Sequence, residues 1–367
     1  MRAFLSFFTW PALTGVLVAL LILEHWVWPS SAPDGAASSA PRGYREAVAA
    51  ATPAVVNIYT EKIVATQRSR MLNNPLMAIP RGVPRQRVER SLGSGVIMRD
   101  DGYILTNNHV IDGADAIQVL LSDGRSTAAQ VVGRDRATDL AALRIDMDSL
   151  SAIELADSDQ LSVGDVVLAI GNPLGFGSSV TQGIVSGLGR FGLTPGTYEG
   201  FIQTDAVIHP GNSGGALVDA DGALVGINSL IYTAADGGSG SGTTGIGVSL
   251  AIPSNLAEFV MDDLIRFGQV IRGWLGVQVE QLATTGSSSS RLLVLAVADE
   301  GPAARAGLRA GDIITHFNHE PIGDVRLAMY EVSILRPGDR LQMTVEREGD
   351  SVDLTAVIAN QPQTDSP

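Results

Sequence analysis

Three side chains that together can activate a hydroxyl occur in this chain in an order that suits peptide hydrolysis. Residues 211–215 read Gly-Asn-Ser-Gly-Gly, and His109 in TNNHV and Asp139 in ATDLAAL lie upstream. A serine hydroxyl is a weak nucleophile unless an imidazole takes its proton, and the imidazole needs a carboxylate to fix its tautomer. Ser213, His109 and Asp139 are therefore the candidate nucleophile, base and acid of an amide-cleaving site.

Each of these residues alone has a simpler interpretation. A serine between glycines is most often part of a turn, and a histidine at a strand end usually only makes hydrogen bonds. The order His, Asp, Ser along the chain favours catalysis, because it is the order found in double-barrel serine proteases. Asp135 is the rival carboxylate. Asp139 is preferred, since it directly precedes the apolar strand LAALRI, which would hold a buried carboxylate rigidly.

The glycines around the candidate nucleophile suit a second requirement of acyl transfer, the stabilisation of a developing oxyanion. A glycine ahead of the serine can adopt a positive φ, so that backbone amides converge on one point. The candidate donors are the amides of Gly211, Asn212 and Ser213, and each such donor is typically worth ~3 kcal/mol. Side chains at the glycine positions would obstruct this approach.

The segments AVIHPG and NSLI flank the GNSGG motif and are the candidate walls of a substrate pocket. Neither carries a carboxylate that could bind a basic side chain. Ile208, Ser229 and Leu230 would form a shallow apolar pocket, which predicts cleavage after Val, Ala or another small apolar residue. The alternative is that these residues only pack the interior of a barrel.

Composition excludes several other functions. The chain has 367 residues, a net charge of -14 and no cysteine. Without a run of Lys and Arg, nucleic acid is not an expected partner. Without cysteine there are no disulfides, thiolate zinc sites or thiol nucleophiles. His316 and His319 have no metal-ligand partners nearby in the sequence, so a zinc site is not expected.

The N-terminus predicts a membrane segment. Residues 3–23 carry no charged side chain, and ~20 apolar residues suffice for a helix to cross a bilayer. Arg2 before the segment and Glu24 after it orient the start towards the cytoplasm. We therefore expect a membrane anchor at residues 1–28, with the remainder exported. The alternative is a cleaved signal peptide, for which Ala36 to Ala40 could supply the cleavage site.

The rest of the chain predicts two mainly β domains after a tether. Residues 29–43 are rich in Pro, Ser, Ala and Gly and predict a flexible linker. Short apolar runs separated by turn residues then continue through residues 44–268, a spacing typical of all-β barrels or sandwiches. This domain closes with an amphipathic helix beginning near Ser254. Residues 269–360 form a second domain of strands and short helices, and residues 361–367 are expected to be a disordered tail.

The segments GYILTNNHVI, TDLAALRI and QTDAVIHPGNSGGALVDADGALVGIN together resemble the HtrA family of serine proteases, in particular its membrane-bound stress sensor. The resemblance implies a mainly β fold, with a trypsin-like double six-stranded β-barrel followed by one PDZ domain. It also implies that no cofactor is needed, that the protease domains assemble as a homotrimer, and that they lie in the periplasm, anchored to the inner membrane by one N-terminal helix.

The same resemblance implies how activity is controlled. Arg190 in LGRFGL matches a regulatory-loop arginine that relays the state of the PDZ domain to the active site. The segment beginning at Arg272 resembles a carboxylate-binding loop, in which Trp274, Leu275, Gly276 and Val277 would hold a peptide C-terminus while the next strand accepts the peptide.

The implied ligands are C-terminal peptides of misfolded outer-membrane proteins, and the implied substrate is a membrane-spanning anti-sigma factor. A general quality-control protease of the same family is the nearest alternative. A PDZ scaffold or chaperone with an idle triad is a more distant one.

Overall fold

The structure is a computed structural model. It describes residues 16, 18, 43–65, 86–172, 177–191, 198, 200–209, 211–232, 248–282, 291–322 and 324–362. The chain divides into two units, Met1–Arg45 and Glu46–Pro367. The expected anchor and tether therefore lie almost entirely outside the described residues. Within the described part of the chain, no helix is long and apolar enough to cross a membrane.

The first half of the larger unit is a seven-stranded antiparallel sheet. The strands are β1 (Val55–Ala65), β2 (Gln86–Ile97), β3 (Tyr103–Asn107), β4 (Ala116–Leu120), β5 (Ser126–Ala128), β6 (Gln130–Asp135) and β7 (Leu140–Arg144). The order of the strands is β5-β4-β1-β2-β3-β7-β6. Strands β3 and β7 are buried at almost every position, and the largest fully buried side chains of the sheet include Ile58, Ile97, Leu105 and Leu143.

The second half is a closed six-stranded barrel with its own apolar core. Its strands are β8 (Val166–Gly171), β9 (Ser179–Arg190), β10 (Phe201–Thr204), β11 (Ala216–Val218), β12 (Leu224–Tyr232) and β13 (Val248–Pro253). They close in the order β10-β13-β12-β11-β8-β9. Val167, Val185, Ile202, Leu217 and Val225 meet inside the barrel.

The predicted double six-stranded barrel is thus confirmed in its second half and differs in its first. Strand β5 folds back on β4, with Val119 opposite Thr127, and adds a seventh strand to the first sheet. Among the described residues, β5 does not pair with β6, so the first sheet is not closed. The mainly β trypsin-like architecture is unaffected, because the sheet still places β3 beside β7.

Helices are few and lie at the ends of the sheets. Helix α1 (Arg45–Ala51) and α2 (Asn108–Ile111) belong to the first half, and α3 (Ser254–Phe267) follows the closed barrel. The apolar stripe of α3 is buried, including Leu256, Val260 and Leu264. Gly268 ends the helix in the left-handed conformation, with φ 71°, as a glycine C-cap does. The helix predicted from its 3.6-residue period is therefore present.

The C-terminal domain is a separate sheet with two short helices. Its elements are β14 (Gly273–Trp274), β15 (Val277–Leu282), β16 (Arg291–Val297), α4 (Pro302–Arg305), β17 (Ile313–Phe317), β18 (Glu320–Pro321), α5 (Val325–Ile334), β19 (Arg340–Arg347), β20 (Asp350–Val357) and β21 (Ala359–Asn360). Strand β15 forms one edge, in the order β15-β16-β17-β19-β20. Gln361, expected in the tail, donates its N–H to the Arg272 carbonyl at 3.0 Å.

Candidate active site

The candidate base and acid meet because two neighbouring strands end at the same place. Strands β3 and β7 are antiparallel, with Asn107 opposite Leu140. His109 follows the end of β3 and Asp139 precedes the start of β7, so the two residues lie side by side. His109 Nδ1 is 2.6 Å from Asp139 Oδ2, and the His109 N–H donates to Asp139 Oδ1 at 2.9 Å. The same carboxylate therefore holds both the ring and the backbone of the histidine.

The backbone of Asp139 is fixed in an uncommon conformation. Its φ of 57° lies in the left-handed region, which Asp tolerates better than most residues. Its carbonyl accepts hydrogen bonds from the Asn108 N–H at 2.9 Å and from Asn107 Nδ2 at 3.1 Å. These two bonds at the start of α2 thus fix the backbone of Asp139. The imidazole remains 44 % exposed, which leaves its far side open to a substrate.

The rival carboxylate, Asp135, has different partners. It accepts hydrogen bonds from the Thr138 hydroxyl and from the Arg272 guanidinium, at 3.1 Å from Nη1 and 2.6 Å from Nη2. These contacts occupy its carboxylate and direct it away from His109. The geometry therefore assigns Asp139, and not Asp135, to the histidine.

The candidate nucleophile lies on the loop that enters the closed barrel. Ser213 is half-buried, and its hydroxyl donates to the Ser229 carbonyl on β12 at 2.8 Å. Among the described residues, no hydrogen bond joins Ser213 to His109. Since a hydroxyl has one proton, Ser213 must turn away from Ser229 before it can donate to the imidazole.

The backbone around Ser213 offers two free amides. Gly211 has a φ of 98°, which glycine adopts without strain. Among the described residues, neither the Gly211 nor the Ser213 N–H donates a hydrogen bond. The Asn212 N–H donates to the His209 carbonyl at 2.9 Å and closes a turn. The inclusion of Asn212 among the oxyanion donors is thus corrected, because this bond already occupies its N–H.

The side chain of Asn212 is fully buried beneath the loop. A side chain on Gly171, at the end of β8, would come within 2.7 Å of its Oδ1. Within the described part of the chain, neither polar atom of the Asn212 amide has a hydrogen-bond partner. The asparagine therefore packs against the barrel wall without an ion pair.

Two of the three candidate pocket residues are buried. Ile208 is 1 % exposed and packs in the core of the closed barrel, as the alternative interpretation of this residue holds. Ser229 is also buried, and its carbonyl contacts the candidate nucleophile. Leu230 lies on β12. The preference for small apolar residues remains a prediction.

A groove opens on the C-terminal domain between β15 and α5. Its volume is about 230 Å³, and its lining includes all four residues of the predicted carboxylate loop, Trp274, Leu275, Gly276 and Val277. The Leu275 and Gly276 carbonyls accept hydrogen bonds from Ala303 and Ala298. Among the described residues, the amides of Leu275 and Gly276 donate none. The loop therefore presents unpaired N–H groups at one end of an apolar groove.

One wall of this groove comes from the other domain. Tyr198, from the loop between β9 and β10, lines the cavity together with Met329 and Val332 of α5. Its N–H donates to the Ala137 carbonyl at 2.7 Å, and its hydroxyl donates to Gln361 Oε1 at 3.2 Å. From the sequence, Arg190 at the end of β9 was the candidate regulatory residue of this loop. Nothing in the sequence indicated that Tyr198 would reach the groove.

Among the described residues, no hydrogen bond or ion pair joins Arg190 to the C-terminal domain. Its Nε donates to Gln203 Oε1 at 2.8 Å, which keeps it on the β9–β10 hairpin. The next residue makes the contact instead, because the Phe191 ring lies 5.9 Å from the ring of Tyr330 and its carbonyl accepts from Arg326 Nη1 at 3.2 Å. Burial, followed by the charge of Asp159, raises the pKa of Tyr330 to about 12.

Two ion pairs join the domains among the residues that the structure describes. Arg272 pairs with Asp135, with 11 % and 9 % of the side chains exposed, and its guanidinium lies 4.5 Å from the centre of the Tyr198 ring. Arg336 pairs with Asp263 of α3 at 2.6 Å, and only 2 % of the aspartate side chain is exposed. The Arg272 to Asp135 pair is buried on both sides, so removing one partner would leave an uncompensated charge, whereas the Arg336 side chain is 40 % exposed. Sequence reasoning had not singled out either pair.

Family models match both domains. A trypsin-like peptidase model matches residues 93–227, and a PDZ model matches residues 273–358. Within the described residues, no cluster of three or more His, Asp or Glu side chains could hold a metal ion. Fold and site together define a trypsin-like serine endopeptidase followed by a PDZ domain.

Relatives make the assignment narrower. The chain is 40 % identical to the serine endoprotease DegS of Escherichia coli over 92 % of this chain and 91 % of that protein. It is 43 % identical to the periplasmic serine endoprotease DegP of E. coli, of whose length it spans 61 %. A solved structure of the HtrA-type protease AlgW with a tripeptide is 46 % identical, with a TM-score of 0.69 over 88 % of this chain and 99 % of that one. The chain belongs to the HtrA family of serine proteases.

Proposed function

We propose that this protein is a membrane-anchored periplasmic endopeptidase whose Ser213-dependent activity is switched on when a peptide C-terminus binds the PDZ groove. The observation that carries the proposal is the shared wall of that groove. Tyr198 belongs to the protease domain and lines the cavity beside the carboxylate loop. A peptide that enters the groove must therefore contact both domains.

The proposed chemistry is acyl transfer through a Ser213 ester. His109 takes the proton of the Ser213 hydroxyl and later delivers it to the leaving amine, while Asp139 orients the ring and stabilises its charged form. The Gly211 and Ser213 amides bind the oxyanion of the tetrahedral intermediate. The hydrogen bond from Ser213 to Ser229 has to break first, which gives a resting form and an activated form of the same site.

Peptide binding can select the activated form only if the peptide binds that form more tightly. Tyr198 is a suitable reporter of occupancy, because its ring contacts Arg272 and its N–H is bonded to Ala137. Phe191, at the other end of the same loop, packs against Tyr330 of the PDZ helix. The loop between β9 and β10 thus contacts the PDZ domain at both of its ends.

The biological substrate follows from the family resemblance. We propose a membrane-spanning anti-sigma factor as substrate, C-terminal peptides of misfolded outer-membrane proteins as activators, and a homotrimer held by the protease domains. Residues 1–28 would anchor the trimer in the inner membrane. DegS, which this chain matches over most of both lengths, and AlgW, whose structures are described with a decapeptide and with a tripeptide, support this choice.

The test is peptidase activity of the full chain with and without a peptide that ends in an apolar residue. We expect activity to rise with the free-carboxylate peptide and not with its C-terminal amide, because the amides of Leu275 and Gly276 would bind the carboxylate. Tyr198→Ala should weaken the response, whereas Tyr198→Phe, which keeps the ring, should retain most of it. Equal activity with and without every peptide would refute gating.

A general quality-control protease is the second candidate, favoured by the 43 % identity to DegP. Activity against a panel of unfolded proteins separates the two. Degradation of most of the panel supports quality control, whereas cleavage confined to a few sites in one membrane protein supports the sensor. If the protein were instead a scaffold or chaperone with an idle triad, a fluorophosphonate would not label Ser213.

A further inference from the structure

We propose that the buried hydroxyl of Ser94 is a positioning group for the oxyanion loop, holding Gly211 to Ser213 in the conformation that directs their amides at the reacting carbonyl. The inference rests on the proposed function, since it assumes that the Gly211 and Ser213 amides bind the oxyanion. Ser94 lies on β2 of the first sheet and does not touch the substrate, so its role is to act through the loop.

Every polar group of Ser94 contacts the catalytic region. Its hydroxyl donates to the Gly211 carbonyl at 2.7 Å and accepts the Asn172 N–H at 3.0 Å. Its own N–H donates to the Ser213 carbonyl at 2.9 Å. Its carbonyl accepts from the Thr106 hydroxyl at 2.7 Å, and Thr106 lies on β3, which leads to His109. The residue is 0 % exposed, so water does not compete for these bonds.

The pattern of bonds sets the direction of the Ser94 proton. A hydroxyl has one donor and two acceptor sites. Because the Asn172 N–H occupies an acceptor site, the proton points to the Gly211 carbonyl. That carbonyl has no other partner among the described residues. The Asn212 N–H, on the same peptide unit, donates to the His209 carbonyl, so both sides of the Gly211–Asn212 peptide plane are held.

Holding this peptide plane matters because it fixes the C-terminal side of Gly211, so that rotation about the φ of Gly211 is what remains to turn its N–H. At φ 98° this residue occupies a region in which glycine has several conformations of similar energy. Rotation at Gly211 would turn its N–H away from the oxyanion without breaking any bond of Ser213 to the barrel. The Ser94 hydroxyl and the bond to the Ser213 carbonyl restrain the two ends of the segment from the facing sheet.

The nucleophile loop packs closely against Ser94 at Gly214. A Cβ on Gly214 would lie 2.2 Å from the Ser94 carbonyl oxygen. The first sheet therefore meets the nucleophile loop through Ser94 with no space for a layer of water. Loss of the hydroxyl alone would leave the Gly211 carbonyl buried and unpaired, which favours a different orientation of that peptide.

The test compares Ser94→Ala with a matched control, Ser254→Ala, in the full chain. Ser254 is also a buried serine whose hydroxyl donates to a backbone carbonyl, that of Ala156, at 2.8 Å, but it lies at the start of α3. Both variants lose one hydrogen bond from a buried serine hydroxyl to a backbone carbonyl, and Ser94→Ala also loses the bond from the Asn172 N–H. Only Ser94→Ala loses one that ends on Gly211.

For Ser94→Ala, we expect kcat to fall roughly ten- to a hundredfold, less than the ~10²–10³ that loss of a donor itself costs. KM should change by less than about threefold, because the lost interaction acts only in the transition state. Affinity for a peptide boronate, which forms a tetrahedral adduct on Ser213, should fall by the same factor as kcat. Peptide binding to the PDZ groove should be unchanged. Ser254→Ala should lower neither kcat nor boronate affinity.

The outcomes separate this inference from the proposed function. If Ser213→Ala keeps its activity, the proposed function fails. If Ser213→Ala is inactive but Ser94→Ala and Ser254→Ala have the same kcat and boronate affinity, the positioning role fails and the proposed function stands. If Ser94→Ala does not fold, Ser94→Cys, which fills the same space with a weaker donor, replaces it and must show the same selective loss of kcat.

Discussion

The two halves of the candidate catalytic site are built in different ways. His109 and Asp139 come from one sheet, where the pairing of β3 with β7 brings them together and one carboxylate holds both the ring and the backbone of the histidine. Ser213 and Gly211 come from the other barrel. Their loop depends on contacts with Ser94, which is 117 positions from Gly211 in the sequence.

This difference indicates where control can act. The acid and base are already in hydrogen-bonding contact, so a regulator gains little by moving them. The nucleophile half is different, because the Ser213 hydroxyl is bonded to the Ser229 carbonyl and no described bond joins it to His109. A regulator that reorients the nucleophile loop would change activity without disturbing the acid and base.

The largest expected effect tests the nucleophile itself. Ser213→Ala should lower kcat by about 10⁶-fold, since removal of the nucleophile from a triad is about as costly as removal of the whole triad. Hydrolysis of a peptide substrate by the purified full chain, with fluorophosphonate labelling as a second readout, measures this. Ser254→Ala is the control, because it makes the same chemical change at a buried serine whose hydroxyl is bonded to the Ala156 carbonyl and not to a residue of the site. Comparable activity in Ser213→Ala and the wild type would show that Ser213 is not the nucleophile.

The next prediction tests the acid–base half. Asp139→Asn should lower kcat by about 10⁴-fold, because an amide in place of the carboxylate favours the wrong tautomer of His109. Asp135→Asn is the matched variant, with the same chemical change four residues earlier on a carboxylate that contacts Arg272 instead. We expect Asp135→Asn to keep the kcat of the wild type. If both substitutions reduced kcat equally, the assignment of Asp139 would be lost.

The sequence predicted those features of the fold and the site that depend on residues close together in the chain. The GNSGG motif, the position of Asp139 before LAALRI and the period of α3 each lie within a few residues, and so does the carboxylate-loop resemblance of residues 272–277. The choice of Asp139 over Asp135 rested on its place at the start of a strand. In the structure, that same place allows it to reach His109.

The features that sequence reasoning missed depend on long-range packing. Ser94 is an ordinary residue of the segment LGSGVI until the facing barrel brings Gly211 against it. The Arg272 to Asp135 pair joins residues 137 positions apart. Asn212 was included as an oxyanion donor because the sequence does not show that its N–H closes a turn with His209. The seventh strand of the first sheet is only three residues long and has no clear alternation.

A third prediction concerns the ion pair that ties the PDZ domain to the acid–base half. Arg272→Met should lower the free energy of unfolding by about 3 kcal/mol, because it leaves the buried Asp135 carboxylate without its cation. Chemical denaturation of the full chain measures the change. In the double variant with Asp135→Asn much of the loss should be recovered, since no buried charge is then left unpaired. An additive double variant would show that the pair is not coupled.

The smallest expected effect is a pH dependence of stability that arises from Tyr330 of the PDZ helix α5. Burial, with a smaller contribution from Asp159, raises the pKa of Tyr330 to about 12, so the folded protein favours the neutral phenol. The stabilising contribution of that phenol is complete below its ordinary pKa of about 10 and is lost as the pH rises through the folded value.

Between pH 9.5 and 10.5 we therefore expect the wild type to lose slightly more stability than Tyr330→Phe, by less than about 1 kcal/mol. Denaturant unfolding of both proteins at the two pH values measures the difference, and the other tyrosines cancel because both proteins contain them. In the folded protein the Tyr330 phenol stays protonated over this pH range, so its packing on Phe191 should not change and the loss comes from ionisation in the unfolded chain. Identical pH dependence in the two proteins would mean that the phenol is not selectively stabilised in its neutral form.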